Sequence, residues 1–209
     1  MITGRAIAIL TALLVGSFFF GAIPFGLVVS RVFFRRDLRN EGSGNIGAAN
    51  ALRSLGRTGA IAVLVLDGLK GALPVLAGRA IGDDDIATAA AFAAILGHCF
   101  SPFLNFHGGK GVATNFGAVI ALSWPAGGIF AAVWLATVAA TGFSSLGSML
   151  ASAAMVPALW LLAGPPDGVY GLASAVLIVY MHRANIRRLL AGSESVLPLF
   201  RTVKGRPPG

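Results

Sequence analysis

Three segments of this chain combine glycine with residue types that bind phosphate, and the first covers residues 42–50. Three glycines within six positions let backbone N–H groups converge on an anion without side chains in the way. Arg53 follows and adds a guanidinium, which suits a phosphate group. The pattern favours an anion-binding loop over a flexible loop whose arginines only set membrane topology. The candidate residues are Gly42, Ser43, Gly44, Asn45, Gly47, Asn50 and Arg53.

The second segment places Lys110 between glycines, directly before an apolar run. It is not a nucleotide-binding P-loop, because Leu104 and Gly111 stand where that loop needs a glycine and a serine or threonine. A lysine among glycines at the start of a helix can still hold an anion. The alternative is a turn at the membrane surface. The candidate residues are Gly108, Gly109, Lys110, Gly111 and Thr114.

The third segment begins at His182. On a helix, His182, Asn185 and Arg188 share one face, so they could orient a substrate, with His182 as a candidate general base. A basic C-terminal anchor would explain the arginines equally well. Two further hydroxyl residues, Ser145 and Ser148, occupy a short turn, where they could bind substrate or cap the next helix.

Other reactive residue types leave their roles open. Asp67 and Lys70 lie three positions apart in an apolar segment, where ionisable groups are functional candidates, but they could also neutralise each other. Cys99 is the single cysteine, and we expect it to serve packing rather than nucleophilic catalysis. The three histidines are not joined by a carboxylate cluster, so we expect neither a metal ion nor another cofactor.

The elements that must position these residues are membrane helices. Hydrophobic residues make up 56% of the chain and charged residues 11%, whereas soluble domains have about 25% charged residues. Most of the surface must therefore face lipid. The formal charge of +8 could indicate nucleic acid, but the basic residues lie at the ends of apolar runs, which is typical of membrane topology. We expect one polytopic domain over residues 1–209 that contacts membrane lipid and no nucleic acid.

Seven apolar runs predict an all-α integral membrane protein with about seven transmembrane helices. They cover residues 6–30, 59–80, 86–104, 112–124, 127–142, 148–163 and 168–181. With the N-terminus outside and the C-terminus cytoplasmic, 13 of the 16 Lys and Arg residues fall on the inner side, as the positive-inside rule requires. The glycine-rich loops then form a site at the cytoplasmic face of the membrane. The inner basic residues are Arg31, Arg35, Arg36, Arg39, Arg53, Arg57, Lys110, Arg183, Arg187, Arg188, Arg201, Lys204 and Arg206.

Together these segments resemble the acyl-phosphate:glycerol-3-phosphate acyltransferase family of bacteria, over nearly the whole chain. Four motifs match in order, at residues 42–53, 67–71, 97–114 and 182–194. Ala49 and His107 depart from the usual Thr and Lys or Arg, which affects only the expected loop geometry. The resemblance implies a seven-helix membrane fold. It also implies that acyl phosphate and glycerol-3-phosphate react to give 1-acyl-glycerol-3-phosphate (lysophosphatidic acid) and phosphate, in phospholipid biosynthesis.

This hypothesis needs no covalent enzyme intermediate, because acyl phosphate is already an activated anhydride. Ser43 with its loop glycines and Arg53 would hold one phosphate, and Lys110 with the following helix would hold the other. His182 and Asn185 would orient the attacking hydroxyl. The alternative is a membrane transporter of a phosphorylated small molecule, which also uses broken helices and anion-binding loops. Transporter sites lie near the membrane midplane, whereas all the motifs here fall on one side, which favours an interfacial enzyme.

Overall fold

The computed structural model describes residues 4–81 and 84–198, and within these ranges it contains helices and no β-strand. Two single-turn 3₁₀ helices, Leu38–Asn40 and Pro102–Leu104, lie in the connections. The α-helices are α1 (Gly4–Ala22), α2 (Phe25–Phe34), α3 (Ala48–Ser54), α4 (Gly56–Ala80), α5 (Asp84–Cys99), α6 (Val112–Leu122), α7 (Trp124–Thr141), α8 (Ser144–Leu162), α9 (Pro165–Met181) and α10 (Arg183–Leu190). The all-helical fold predicted from the sequence is confirmed.

Within the described ranges, α4, α7 and α8 are each long and apolar enough to cross a membrane, and so is α5 when it is taken together with the following 3₁₀ helix, over Asp84–Leu104. α1 and α2 meet the same criterion together and are bent by 41°, so they are a fifth candidate span. α6 has 11 residues and α9 has 17, fewer than the roughly 20 that a perpendicular span needs. Each predicted apolar run falls on one of these helices or on the bent pair. The chain has the architecture of a multi-helix membrane protein, and the count of seven spans stays a prediction.

The orientation also stays a prediction. Three of the inner basic residues, Arg201, Lys204 and Arg206, lie outside the described residues, so the structure adds nothing about their position.

Helices α4 and α6 approach closely because glycines face the neighbouring backbone. A Cβ on Gly71 would collide with the carbonyl oxygen of Thr114. In the opposite direction, a Cβ on Gly117 would collide with the carbonyl oxygen of Gly68. Small residues are the usual means of helix association in lipid, where apolar side chains gain little by leaving the solvent. This contact fixes the start of α6, and therefore the loop before it, against the middle of α4.

The buried core lies where α5, α6, α8 and α9 meet, and it includes the fully buried Ile95, Met155 and Leu159. A second cluster includes Leu38, from the segment before α3, and Val63 of α4. The connections α2–α3, α5–α6 and α9–α10 contribute to the walls of one cavity, together with the short helices α3 and α10 and the start of α8. These segments carry most of the predicted site residues, and Ser145 and Ser148 lie in the first turns of α8 rather than in a turn before it.

Candidate active site

This cavity has a volume of about 640 Å³. It collects residues from every segment to which the sequence analysis assigned binding or catalysis. The predicted site residues that line it are Ser43, Asn45, Gly47, Asn50, Arg53, Lys110, Gly111, Ser145, Ser148, His182, Asn185 and Arg188. The fold thus brings most of the predicted residues to one place, while their individual binding roles stay predictions.

Asn50 fixes the shape of the first glycine-rich loop. Its Nδ2 lies within hydrogen-bond distance of three carbonyl oxygens, those of Leu38 (3.0 Å), Glu41 (3.0 Å) and Asn45 (2.8 Å). Its Oδ1 accepts a hydrogen bond from the backbone N–H of Ser43 at 2.8 Å. An amide group has two N–H donors, so both are used within the loop. The Asn50 side chain therefore holds the backbone of the loop in this conformation.

Arg53 connects this loop to the C-terminal segment. Its guanidinium nitrogens donate to the carbonyl oxygens of Ala49 and Ser195, both at 3.4 Å. These distances are at the long end for hydrogen bonds, and a charged phosphate oxygen is a stronger acceptor than a carbonyl. The guanidinium is therefore suited to bind an anion that enters the cavity.

Glu194 joins the side chains that α8, α10 and the Lys110 loop contribute to the cavity. Its Oε1 accepts hydrogen bonds from the hydroxyl of Ser145 (2.7 Å) and the side-chain amide of Asn185 (2.6 Å). Its Oε2 accepts from Nε of Arg188 at 2.7 Å. Asn185 in turn accepts from Nζ of Lys110 at 2.5 Å. Because both polar atoms of the Asn185 side chain are engaged, this residue links Lys110 to Glu194.

The charges of Lys110 and Glu194 follow from their burial and from these contacts. Burial is the main cause that lowers the pKa of Lys110 to about 8; the charge of Glu194 opposes the shift, and Arg188 and Arg53 add to it. Burial disfavours the charged form of Glu194, but hydrogen bonds from Ser145, Asn185 and Arg188 outweigh it, so the pKa of this carboxyl lies below its ordinary value. Near neutral pH, Lys110 is mostly cationic and Glu194 is ionised.

His182 ends helix α9 and is 2% exposed. Its Nδ1 lies 2.8 Å from the carbonyl oxygen of Ile178. A carbonyl only accepts, so Nδ1 carries the hydrogen and Nε2 of the neutral ring is an acceptor. Burial, and then the charge of Lys110, lower the pKa of His182 to about 4. The ring is neutral at physiological pH and can accept a hydrogen bond from a substrate hydroxyl.

Some predicted ligands shape the loops without lining the cavity; they are Gly42, Gly44, Gly108, Gly109 and Thr114. Gly42 and Gly44 have positive φ angles of 55° and 70°, which glycine adopts without strain. Thr114 is fully buried against α4, while its neighbour Ala113 faces the cavity. A substrate contact by Thr114 would need a rearrangement of this packing.

Several lining residues lie outside the site predicted from the sequence. Glu194 is the most important, and its signal in the sequence was its place at the end of the matched motif 182–194. Asp67 and His98 also reach the cavity from helices α4 and α5. Trp134 reaches it from α7 and donates to the Ser148 hydroxyl at 3.3 Å. Nothing in the local sequence indicates which face of α7 turns inward.

Most of the remaining lining is apolar, and much of it comes from the membrane helices α4, α6 and α7. Phe116 and Phe130 stack there with ring centroids 5.4 Å apart. Leu64 and Leu135 also line the cavity and are 44% and 60% exposed. The cavity therefore joins a charged end to an apolar end whose lining includes exposed side chains of the membrane helices α4 and α7.

In the described part of the chain, no group of three His, Cys, Asp or Glu side chains lies close enough together to hold a metal ion.

Comparison with known proteins gives a family match over most of the chain. Residues 11–192 match the family model described as glycerol-3-phosphate acyltransferase. A glycerol-3-phosphate acyltransferase of Cereibacter sphaeroides is 46% identical over 192 residues, which cover 92% of this chain and 90% of that protein. One from Brucella anthropi is 44% identical over 182 residues, covering 87% of this chain and 90% of that protein.

Two solved structures have the same fold. They are crystal structures of PlsY (YgiH), described as an integral membrane glycerol 3-phosphate acyltransferase, and both are 34% identical to this chain. The glycerol 3-phosphate form has a TM-score of 0.86 and covers 93% of this chain and 98% of its own. The lysophosphatidic acid form has a TM-score of 0.82, with 90% and 94% covered.

Proposed function

The chain belongs to the glycerol-3-phosphate acyltransferase family, and we propose that it transfers an acyl group from acyl phosphate to glycerol-3-phosphate. The products are 1-acyl-glycerol-3-phosphate (lysophosphatidic acid) and inorganic phosphate, and the reaction serves phospholipid biosynthesis. Family membership supports acyl transfer to glycerol-3-phosphate. The acyl-phosphate donor and the residue roles below are the finer part of the proposal.

One observation carries this function: a cavity with cations from three segments at one end and an apolar lining at the other. Arg53, Lys110 and Arg188 line the charged end, beside the neutral ring of His182. Both substrates carry a phosphate that these cations can bind. The acyl tail needs an apolar surface, which the lining from α4, α6 and α7 supplies. A transporter of a small polar molecule would not need this apolar lining.

The charged end divides into two phosphate sites. The loop around Ser43, together with Arg53, holds one phosphate. Lys110 and the N-terminus of α6, which is 11 residues long, hold the other, where backbone N–H groups and the helix dipole add to the charge. Stabilising the phosphate that leaves is the larger catalytic contribution of Lys110, because charge develops there in the transition state.

The reaction is a direct transfer. The glycerol-3-phosphate hydroxyl oxygen forms a bond to the acyl carbonyl carbon, and the bond from that carbon to the phosphate oxygen breaks. His182 accepts a hydrogen bond from the hydroxyl and orients it. The proton passes to His182 or to a phosphate oxygen, and inorganic phosphate leaves with the bonding electron pair. Asn185 holds Lys110 in place through the 2.5 Å hydrogen bond.

We also infer seven spans, with the N-terminus outside and the site on the cytoplasmic face of a bacterial inner membrane. The bias of basic residues supports this topology. Reporter fusions at Asp84 and at the C-terminus should give opposite results, with the C-terminus inside. Equal results at the two positions would contradict it.

The central experiment combines purified protein, a synthetic acyl phosphate and labelled glycerol-3-phosphate, with the lipid product followed directly. We expect labelled lysophosphatidic acid and an equal amount of phosphate. Acyl-CoA in place of acyl phosphate is the donor control and should give no product. If no product forms while liposomes containing the protein accumulate labelled glycerol-3-phosphate, the transporter alternative replaces this proposal.

A further inference from the structure

Three ionisable residues form a buried cluster beside the loop that carries Lys110. Asp67 and Lys70 of α4 are each 1% exposed, and His98 of α5 is 4% exposed. Nζ of Lys70 lies 2.9 Å from Oδ1 of Asp67, and Nδ1 of His98 lies 3.8 Å from the same oxygen. Charged groups buried in membrane helices are costly and are usually retained for a function. The mechanism described above uses none of the three.

Lys70 anchors this cluster to the break between α1 and α2. Its Nζ donates to the carbonyl oxygen of Ile23 at 2.9 Å, and it lies 5.6 Å from the ring centroid of Phe25. The break leaves backbone carbonyls without helical partners, and the hydroxyl of Ser101 donates to the neighbouring Ala22 carbonyl at 2.6 Å. The ammonium thus has fixed partners on α1–α2 and on Asp67, which hold the carboxylate in one position.

The His98 ring lies between the Asp67 carboxylate, 3.8 Å away, and the Lys110 loop. The ring packs directly on Gly109, where a Cβ would collide with its Nε2. The backbone N–H groups of Gly108 and Gly109 donate to the carbonyl oxygens of Cys99 and His98, each at 3.0 Å. The residue next to Gly109 is Lys110. A shift of the His98 ring would therefore move the backbone that sets the position of the Lys110 ammonium.

We propose that Asp67 and His98 are positioning residues, anchored by Lys70, that hold the loop 108–111 so that Lys110 meets the substrate phosphate. They act on Lys110 through the backbone of this loop. The prediction about activity rests on the proposed function, whereas the prediction about the loop itself does not.

The first test measures the loop directly. Hydrogen exchange of peptides that cover residues 105–112 should be at least about tenfold faster in Asp67→Asn than in the unaltered protein, because opening the loop breaks the two hydrogen bonds at Gly108 and Gly109. Asp167→Asn is the matched control. Asp167 is also a buried carboxylate at a helix, 7% exposed and bonded to Thr88 at 2.6 Å, but it lines a separate pocket. The control should leave exchange in the loop unchanged.

The second test asks whether the effect on activity passes through Lys110. Asp67→Asn should lower kcat/KM at least about tenfold, whereas Asp167→Asn should retain it. In a Lys110→Ala background, Asp67→Asn should cost less than about twofold, because residues that act through one another are not additive. A purely structural role of Asp67 would give the same factor in both backgrounds.

A second variant allows the same test if the first variant does not fold. If Asp67→Asn alone does not fold, Asp67→Asn with Lys70→Met removes both charges, which is tolerated better than one unpaired buried charge. The same changes in exchange and kcat/KM are expected for it. Unchanged exchange in a folded variant, or equal losses in both Lys110 backgrounds, overturns the inference. If the unaltered protein shows no acyl transfer, the proposed function fails while the exchange result still decides the role of the cluster.

Discussion

Lys110 should set the alkaline limit of the reaction, and arginine at this position should move that limit upward. Burial lowers the pKa of Lys110 to about 8, so part of the free enzyme carries an uncharged amine at mildly alkaline pH. Only the ammonium form attracts a phosphate dianion. Because kcat/KM reports the ionisation of the free enzyme, it should fall as the pH rises through about 8.

The size of the effect follows from this pKa. One pH unit above it, about one tenth of the enzyme keeps the ammonium, so kcat/KM at pH 9 should be about tenfold below its plateau. Arginine stays protonated over the whole range. In Lys110→Arg the guanidinium must fit where Nζ lies 2.5 Å from Asn185, so a lower plateau is expected. The alkaline fall should nevertheless disappear below about pH 9.5.

The assay measures initial rates at subsaturating substrate from about pH 6 to 9.5, with the enzyme-free hydrolysis of acyl phosphate subtracted. Phosphate groups of the substrates titrate near pH 6, but equally for both proteins, so the ratio of the two profiles removes their contribution. If Lys110→Arg shows the same alkaline fall as the unaltered enzyme, the limit belongs to another group and Lys110 is not the required cation.

Three further changes test separate parts of the site. Glu194→Gln removes the charge that accepts from Asn185, so losing a charge-assisted bond of roughly 1.5–3 kcal/mol should lower kcat/KM at least about tenfold; unchanged kinetics would contradict its organising role. Arg53→Ala should reduce kcat/KM at least about 30-fold, for a loss of roughly 2–4 kcal/mol, whereas Arg5→Ala, on the exposed start of α1, should keep it. Cys99→Ser should turn over normally, since the thiol is fully buried, and an acyl adduct on Cys99 by mass spectrometry would require a two-step mechanism instead.

Much of the fold could be predicted because apolar runs mark membrane helices directly. All seven runs fall on helices, but the first run, residues 6–30, is divided into α1 and α2. The division occurs at Pro24, which lacks an N–H donor and disfavours a helical conformation at Ile23. Hydrophobicity alone predicts one span for this run, because it does not report backbone hydrogen bonds.

The site was predictable in its residue types and less so in their contacts. Glycine spacing and isolated cations identified Arg53 and Lys110, since few other groups in an apolar chain can bind phosphate. Which individual side chains face the cavity could not be predicted. Thr114 and Ala113 differ by one position, about 100° around the helix, and only Ala113 lines the cavity. That Glu194 accepts hydrogen bonds from three side chains depends on long-range packing that no local pattern records.

The charges of the cavity give a physical reason why both proposed substrates are phosphorylated. Its cationic lining residues are Arg53, Arg57, Lys110 and Arg188. Its carboxylates are Glu194 and Asp67, and Lys70 neutralises the second at 2.9 Å. The remaining excess is about three positive charges at neutral pH, which is unfavourable beside an apolar, partly buried lining unless anions compensate for it. Each substrate phosphate brings a charge of about −1.5 to −2, and each product still carries one phosphate. The positive charge of the cavity is therefore compensated by phosphate both before and after the acyl group is transferred. Unphosphorylated glycerol would leave this positive charge uncompensated and should bind poorly.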